Sequence, residues 1–171
     1  MAQGEVMRIL TVLGLCAIVL LGGPSPSTAA PDGYSWPLRP RPALARAFDP
    51  PEHDWLPGHR GVDLVGSPGQ AVLAAGEGVV AFAGVVAGKP VVSIDHPGGL
   101  RTTYEPVRAA VAVGGRVGRG TPLGTLEPGH PGCGTCLHWG LRRGREYLDP
   151  LGLVRTAPVR LKPLGAEGRR N

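Results

Sequence analysis

Apolar residues from position 59 onward fall in short runs that are separated by glycine and proline, as at Gly66-Ser67-Pro68-Gly69 and His96-Pro97-Gly98-Gly99. Runs of this kind predict β-strands, and no window of about eleven residues carries a helical stripe. The predicted strands cover residues 61–64, 70–75, 78–86, 90–95, 100–107, 111–117, 122–126 and 137–141. We therefore predict an all-β fold, a compact and mostly antiparallel β-sandwich or barrel-like domain with short strands and Gly/Pro-rich loops.

The first thirty residues have a different pattern. An apolar, uncharged run at residues 9–21 follows Arg8, and the small residues Thr28-Ala29-Ala30 offer a cleavage site. This pattern predicts a secretory signal peptide at residues 1–30. The run is shorter than the roughly 20 apolar residues of a membrane span, although an uncleaved anchor is the alternative. We expect a secreted or cell-envelope protein with no stable membrane span once the signal is removed.

Two further segments flank the predicted strands. Residues 31–57 are rich in Pro, Arg and Asp, and we expect this approach segment to place one edge strand and a loop near the functional site. Residues 155–171 contain few apolar residues and end in Gly168-Arg169-Arg170-Asn171, which predicts a flexible basic tail. The domain itself is therefore predicted at residues 58–154.

Composition and charge narrow the function classes. The chain has 171 residues, enough for one domain, and its 28 glycines and 19 prolines favour tight turns over long helices. The formal net charge of +5 is mostly due to arginine. No run of Lys and Arg is interleaved with aromatic residues in the manner of single-strand binders, so we expect no nucleic-acid partner. A monomer is expected.

His59, Asp63 and His138 are candidate metal ligands. On a straight strand His59 and Asp63 would lie about 13 Å apart, too far for both to bind one metal at about 2 Å. The chain must therefore bend between them, and Gly61 permits a bend. His138 lies in an apolar strand, where an unpaired imidazole would be costly. Two imidazoles and a carboxylate are typical of a catalytic zinc site that keeps one position open.

Cys133 and Cys136 are the two cysteines that remain after the signal. An even number of cysteines in an exported chain favours a disulfide. The same spacing also fits half of a structural zinc site, but no second pair at zinc-finger spacing accompanies it. The disulfide is the preferred interpretation.

Two motifs carry a family resemblance. His59-Arg60-Gly61-Val62-Asp63, followed far downstream by Leu137-His138-Trp139-Gly140, resembles the lysostaphin-like (LytM-type) zinc metallopeptidases, which cleave peptide bonds in bacterial peptidoglycan. The resemblance extends over about residues 59–149. It implies that His59, Asp63 and His138 bind Zn²⁺ in a groove, and that the chain is a zinc-dependent metalloendopeptidase acting on peptidoglycan peptide.

The chain departs from that family at two positions. Members usually carry a histidine two residues before the last ligand and another two residues after the strand tyrosine, where this chain has Cys136 and Pro106. General acid/base help is typically worth about 10²–10⁴-fold in rate. His130 is the candidate catalytic replacement, held over the zinc by a Cys133–Cys136 clamp, and an exposed loop histidine is its alternative.

Other assignments stay open at this level. Glu105 and Tyr104 are weaker acid/base candidates, and Tyr104 is expected to pack. The alternative function is a zinc-binding but weak or inactive module that binds the wall or activates a partner wall hydrolase. Nearby, Arg142, Arg143 and Arg145 form either a solvated charge run or a contact to carboxylates of the stem peptide or to an anionic wall polymer.

Overall fold

The computed structural model describes residues 33–53 and 55–155, and within these ranges the regular structure is strand apart from two short 3-10 turns, Pro97–Gly99 and Pro150–Leu153. The predicted signal peptide and the tail beyond Arg155 lie outside the described residues. None of the described helical segments is long and apolar enough to cross a membrane. The strands are β1 (Leu44–Arg46), β2 (Gly61–Val65), β3 (Ala71–Leu73), β4 (Gly78–Val86), β5 (Lys89–Asp95), β6 (Leu100–Glu105), β7 (Val107–Ala109), β8 (Arg116–Val117), β9 (Pro122–Leu126), β10 (Cys136–Arg143) and β11 (Glu146–Leu148).

The strands form two antiparallel sheets. The larger sheet has the order β1-β2-β10-β6-β5-β4-β8, with β11 paired to β10, and the smaller has the order β3-β9-β7. This confirms the predicted all-β, antiparallel fold. Strand β10 is the centre of the larger sheet, because β6 pairs along one edge while β2 and then β11 share the other.

Strand alternation divides the residues of β10 between two environments. Leu137, Trp139 and Leu141 point into the core and are at most 4% exposed. His138, Gly140 and Arg142 lie on the opposite face, because successive side chains of a strand alternate. Each large apolar side chain buried fully in such a core stabilises the fold by about 1.5–3 kcal/mol. Packing on the core face therefore fixes the strand register, and the register positions the residues of the opposite face.

Two predicted strands differ in the structure, and a further strand was not predicted. The predicted strand 100–107 is divided at Pro106, which has no amide hydrogen for a ladder bond, and its two parts join different sheets as β6 and β7. The predicted strand 111–117 is reduced to β8, because a left-handed Gly114 with φ of 83° turns the chain before it. Strand β11 was missed, since Glu146-Tyr147-Leu148 is short and half polar.

The approach segment contributes to the same domain. Strand β1 pairs with β2 as the edge of the larger sheet, as expected for this segment. Leu38 is fully buried in the core, and the ring of Trp36 lies 6.4 Å from that of Trp139. Residues upstream of the predicted domain are therefore part of the support beneath the candidate site.

Candidate metal centre

A row of three polar residues crosses the middle of the larger sheet. Asp63 of β2 is paired with His138 of β10, which is paired in turn with Glu105 of β6. Directly paired residues share one face of a sheet, with Cβ atoms about 4.5–5.5 Å apart. The sheet register alone therefore brings Asp63 and His138 together, although 75 positions separate them.

His59 joins this row from the loop before β2. Its backbone forms an isolated bridge with Asp49, and its Nδ1 donates a hydrogen bond to the carbonyl oxygen of Ala47 at 2.6 Å. These contacts hold the imidazole over the row with Nε2 pointing inward. His59 lies on the loop before β2, and Asp63 is the middle residue of that strand.

The three predicted ligands converge. His59 Nε2 and His138 Nδ1 each lie 2.9 Å from the same oxygen of Asp63, Oδ1, and 3.1 Å from each other. All three ligand atoms lie within 4.8 Å of one another. His59 and Asp63 are buried, while the side chain of His138 keeps 22% of its surface exposed. The centre is therefore enclosed on the side of the loop and open beside His138.

Gly61 has a different role from the one predicted. Its φ is not in the left-handed region, so the bend between His59 and Asp63 does not require a glycine. A Cβ on Gly61 would instead lie 2.7 Å from Nε2 of His138 and 2.6 Å from the carbonyl oxygen of Trp139. Only a residue without a side chain leaves room for the His138 ring at this position.

The chemistry of the donor set fits a divalent metal. Because His59 Nδ1 donates its hydrogen to Ala47, Nε2 of the neutral ring carries a lone pair, and that lone pair faces a carboxylate oxygen and another ring nitrogen. Acceptors that face one another at 2.9–3.1 Å repel unless a proton or a cation lies between them. Burial would raise the pKa of Asp63, but the hydrogen bond with His138 and the surrounding imidazoles hold it below its ordinary value. Two imidazole nitrogens and a carboxylate suit zinc.

His130 reaches the same centre from the loop before β10. Its Nε2 lies 2.9 Å from Asp63 Oδ1, and its side chain is only 10% exposed. The alternative of an exposed loop histidine is therefore wrong: the loop folds inward instead of extending into solvent. Its Nδ1 is buried without a hydrogen-bond partner among the described residues. Burial lowers the pKa of His130, and the nearby His138 and Lys89 lower it further. The carboxylates of Asp63 and Glu105 partly oppose this shift.

The predicted disulfide is present between Cys133 and Cys136. It joins the His130 loop to the first residue of β10, two positions before His138. Cys136 is fully buried, so the position at which the resemblance expects a histidine is taken by one half of this bridge. The loop is also closed by a hydrogen bond from the amide of Cys133 to the carbonyl oxygen of His130.

The remaining acid/base candidates differ in their access to the centre. Tyr104 is fully buried, as expected, and burial raises its pKa to about 12, so it stays neutral and out of reach. Glu105 shares the row of Asp63 and His138, and its carboxylate is paired with the ammonium group of Lys89 at 2.9 Å. The sequence reasoning missed Lys89 and the carbonyl of Ala47. Every residue has a backbone oxygen, so the role of the Ala47 carbonyl cannot be recognised from the sequence. The ion pair of Lys89 with Glu105 becomes apparent only once the strands are paired.

The stretch of chain that contains the candidate ligands is similar to known proteins. The family model of peptidase family M23 matches residues 57–150. Uncharacterized protein Rv2891 of Mycobacterium tuberculosis is 54% identical over 173 residues, which cover 96% of this chain and 69% of that protein.

Solved structures share the fold. Csd3 of Helicobacter pylori matches with 28% identity and a TM-score of 0.60, over 75% of this chain and 36% of its own. The catalytic domain of the antimicrobial peptidase lysostaphin from Staphylococcus simulans matches with 20% identity and a TM-score of 0.58, over 67% of this chain and 93% of that domain. A zinc containing peptidase from Vibrio cholerae matches with 22% identity and a TM-score of 0.56, over 64% of this chain and 36% of its own.

This chain spans little more than a third of the Csd3 chain, so the match concerns only part of that protein. The M23 match covers more than half of this sequence and contains His59, Asp63 and His138. The chain belongs to peptidase family M23, together with the LytM-type and lysostaphin-type peptidases.

Proposed function

We propose that this chain is a zinc-dependent metalloendopeptidase that hydrolyses peptide bonds in bacterial peptidoglycan, acting outside the cell or in the cell envelope. The observation that carries the proposal is the convergence of His59 Nε2 and His138 Nδ1 on one oxygen of Asp63. Family membership supports the reaction class, and the zinc containing neighbour from Vibrio cholerae supports the choice of metal.

His59, Asp63 and His138 would hold the zinc ion. Zinc, when bound, supplies Lewis acidity that polarises a peptide carbonyl and activates water. The hydrogen bond from His59 Nδ1 to Ala47 orients that ring and fixes its tautomer, as partners of metal-ligating histidines commonly do. The ionised state of Asp63, favoured by its depressed pKa, offers the third ligand atom at neutral pH. Exposure of His138 leaves one side of the centre accessible to a peptide.

His130 would act as the general base and acid. Its imidazole faces Asp63 and is kept neutral at pH 7 by a lowered pKa, so it can accept a proton. In the proposed reaction His130 takes one proton from the attacking water, whose oxygen bonds to the carbonyl carbon. The imidazolium then returns that proton to the amine nitrogen as the peptide C–N bond breaks. A histidine from the loop thus stands in for the one that Cys136 displaces.

A second function is favoured by a specific observation, namely the residues that occupy the two expected histidine positions. Cys136 is buried in a disulfide, and Pro106 follows Glu105 at the point where β6 gives way to β7. If His130 serves as a fourth ligand rather than as a base, no coordination position stays open for catalysis. The protein would then be a zinc-binding module that binds the wall or activates a partner hydrolase.

Purified sacculi test the two functions directly. The zinc-loaded protein should release new amino groups from sacculi, lose that activity with a chelator and regain it with added zinc. His138→Ala should abolish both zinc binding, measured by metal analysis, and amino-group release. His53→Ala is the matched control, because His53 is an exposed histidine stacked on Trp55 with no contact to the centre.

The outcomes separate the proposals. Zinc bound in equimolar amount, sacculi bound and no amino groups released would favour the non-catalytic module. Full zinc occupancy in the His138→Ala variant would remove His138 from the ligand set and overturn both functions.

A further inference from the structure

A concave region of about 430 Å³ lies beside the ends of β10 and β11, and we call it the arginine cleft. Among residues 33–53 and 55–155 its lining consists of Arg60, Arg142, Arg145 and Tyr147, with no acidic residue in this set. Guanidinium groups gathered around one cavity produce a positive field that favours anions. Neither the M23 assignment nor the ligand set accounts for this feature.

The cleft lies on the same face of the larger sheet as the metal centre. His138, Gly140 and Arg142 are alternate residues of β10, so all three are on the face opposite Trp139 and the core. Four residues of strand separate the α-carbons of His138 and Arg142 by about 13 Å. Arg60 directly follows the ligand His59, so the cleft and the centre also share one loop.

Neighbouring contacts hold the walls of the cleft. The guanidinium carbon of Arg60 lies 5.5 Å from the centre of the Tyr147 ring, and Nη2 of Arg60 donates to the carbonyl of Leu56 at 3.3 Å. Nη1 of Arg142 donates to the carbonyl of Gly144 at 3.1 Å, which leaves most of its donors for a ligand.

Two of the cleft arginines, Arg142 and Arg145, keep their charge available to a ligand. Across residues 33–53 and 55–155, neither Arg142 nor Arg145 forms an ion pair with a carboxylate. Arg142 does lie within electrostatic range of Asp95, but that carboxylate is already held by two hydrogen bonds from Arg101. A bound carboxylate would therefore meet two guanidinium groups that have no competing anion.

We propose that the arginine cleft binds a carboxylate of the peptide whose scissile bond lies at the metal centre. Guanidinium groups recognise carboxylates through paired N–H···O bonds. An extended peptide advances about 3.3 Å per residue, so the recognised carboxylate lies about four residues from the cleaved bond. This inference rests on the proposed function, and it adds a specificity for peptides with a free carboxyl group at that distance.

Peptide binding tests the inference independently of turnover. Isothermal titration calorimetry on the zinc-loaded full chain would compare a stem-type peptidoglycan peptide with the same peptide carrying amidated carboxyl groups. Loss of charge-assisted hydrogen bonds corresponds to about 10- to 100-fold in affinity, and we expect amidation to weaken binding by that factor. This comparison needs no variant, so it does not depend on the folding of a mutant.

Variants then assign the effect to the cleft. Arg142→Gln combined with Arg145→Gln should weaken binding of the carboxylate peptide by the same factor and leave binding of the amidated peptide unchanged. Arg143→Gln is the matched control for Arg142→Gln alone, since each removes one positive charge from β10, and Arg143 lies on the opposite face of the strand and does not line the cleft.

Three results would overturn the proposal: no effect of amidation, equal weakening by Arg143→Gln, or arginine-dependent binding of poly(glycerol phosphate) without discrimination between the peptides. The last result would assign the cleft to a phosphodiester polymer. If the carboxylate peptide is preferred but sacculi are not hydrolysed, the proposed enzyme activity fails while the cleft assignment stands. If sacculi are hydrolysed without carboxylate preference, the cleft assignment alone fails.

Discussion

The imidazole of His138 lies across Gly61, with Nε2 only 2.7 Å from the point where a Cβ on that glycine would be. Gly61 belongs to β2, and His138 belongs to the neighbouring β10, two positions away in the pairing register. The ring can lean over the partner strand because that strand has no side chain there. This placement brings Nδ1 of His138 to the carboxylate of Asp63.

We therefore expect Gly61→Ala to damage the metal centre without removing any ligand. The new methyl group would also lie 2.6 Å from the carbonyl oxygen of Trp139, which is held in the sheet and cannot move freely. Displacement of the His138 ring should lower zinc affinity by about 10–100-fold, the usual effect of losing a group that orients a ligand. Competition with a chromophoric chelator measures this affinity.

Gly152→Ala is the control for this substitution. A Cβ at Gly152 meets nothing within 4 Å, and its φ is not in the left-handed region. Its zinc affinity should equal that of the parent. Unchanged zinc affinity in Gly61→Ala would show that the His138 ring is not positioned by this contact.

His130→Ala should separate catalysis from metal binding. His130 is close to Asp63 but is not one of the three residues whose ligand atoms converge. We expect zinc to remain bound while the turnover of sacculi falls by about 10²–10⁴-fold, the range for a lost general acid or base. If zinc is lost together with activity, His130 is a ligand, and unchanged turnover would remove it from the mechanism.

The disulfide should matter more for activity than for stability. Cys133 and Cys136 are three positions apart, and a bridge that closes so short a loop stabilises a fold less than a long-range bridge. Cys133→Ser should therefore change the melting temperature little, retain zinc and reduce turnover, because the loop that carries His130 loses its anchor on β10. Melting by circular dichroism, metal analysis and the sacculus assay give the three readouts. A large fall in melting temperature with normal turnover would contradict this role.

Several features could be predicted from the sequence because they depend on local pattern. Short apolar runs between glycines and prolines predicted eight strand regions, and the candidate ligand residues were recognisable from residue type and spacing. The inward fold of the His130 loop was not predictable in this way. It depends on the register that places Asp63 beside His138 and on the disulfide. The sequence positions of the two cysteines do not reveal the direction in which the loop folds.

The reason for Gly61 was also not predictable. In the sequence a glycine between two ligands suggests conformational freedom, whereas the structure shows that it makes room for a side chain from a strand some 75 residues away. Pairing between distant strands likewise created the arginine cleft, since Arg60 and Tyr147 are far apart along the chain. Effects of this kind follow from tertiary contacts that override local pattern.

His96 provides a prediction about stability that is independent of the metal centre. It is buried, its Nδ1 donates to the carbonyl of Glu77 at 2.6 Å, and its Nε2 lies 2.7 Å from the hydroxyl oxygen of Thr102. Burial lowers the pKa of His96 below 6.5, although the bond to Glu77 and the charge of Asp95 partly oppose the shift. The folded protein therefore excludes a proton that the unfolded chain binds.

The sign of the pH effect follows from this difference. Between the folded pKa and about 6.5 the unfolded state binds more protons, so the free energy of unfolding rises with pH. Stability should thus be unaffected by His96 above pH 7 and should fall as the pH decreases from about 6.5. The hydrogen bond with Arg101 lowers the pKa of Asp95, so Asp95 affects stability in a separate pH range, below about pH 4.

Urea unfolding at pH 7.5, 6.5, 5.5 and 5.0 measures the effect, with a chelator present throughout so that loss of metal does not contribute. His96→Gln removes the titrating group, and it should lower stability at pH 7.5 because a buried hydrogen-bond partner is changed. Its stability should nevertheless fall less between pH 6.5 and 5.0 than that of the parent. Parallel pH curves for the two proteins would mean that His96 does not resist protonation in the folded state, and that the acid sensitivity comes from other groups.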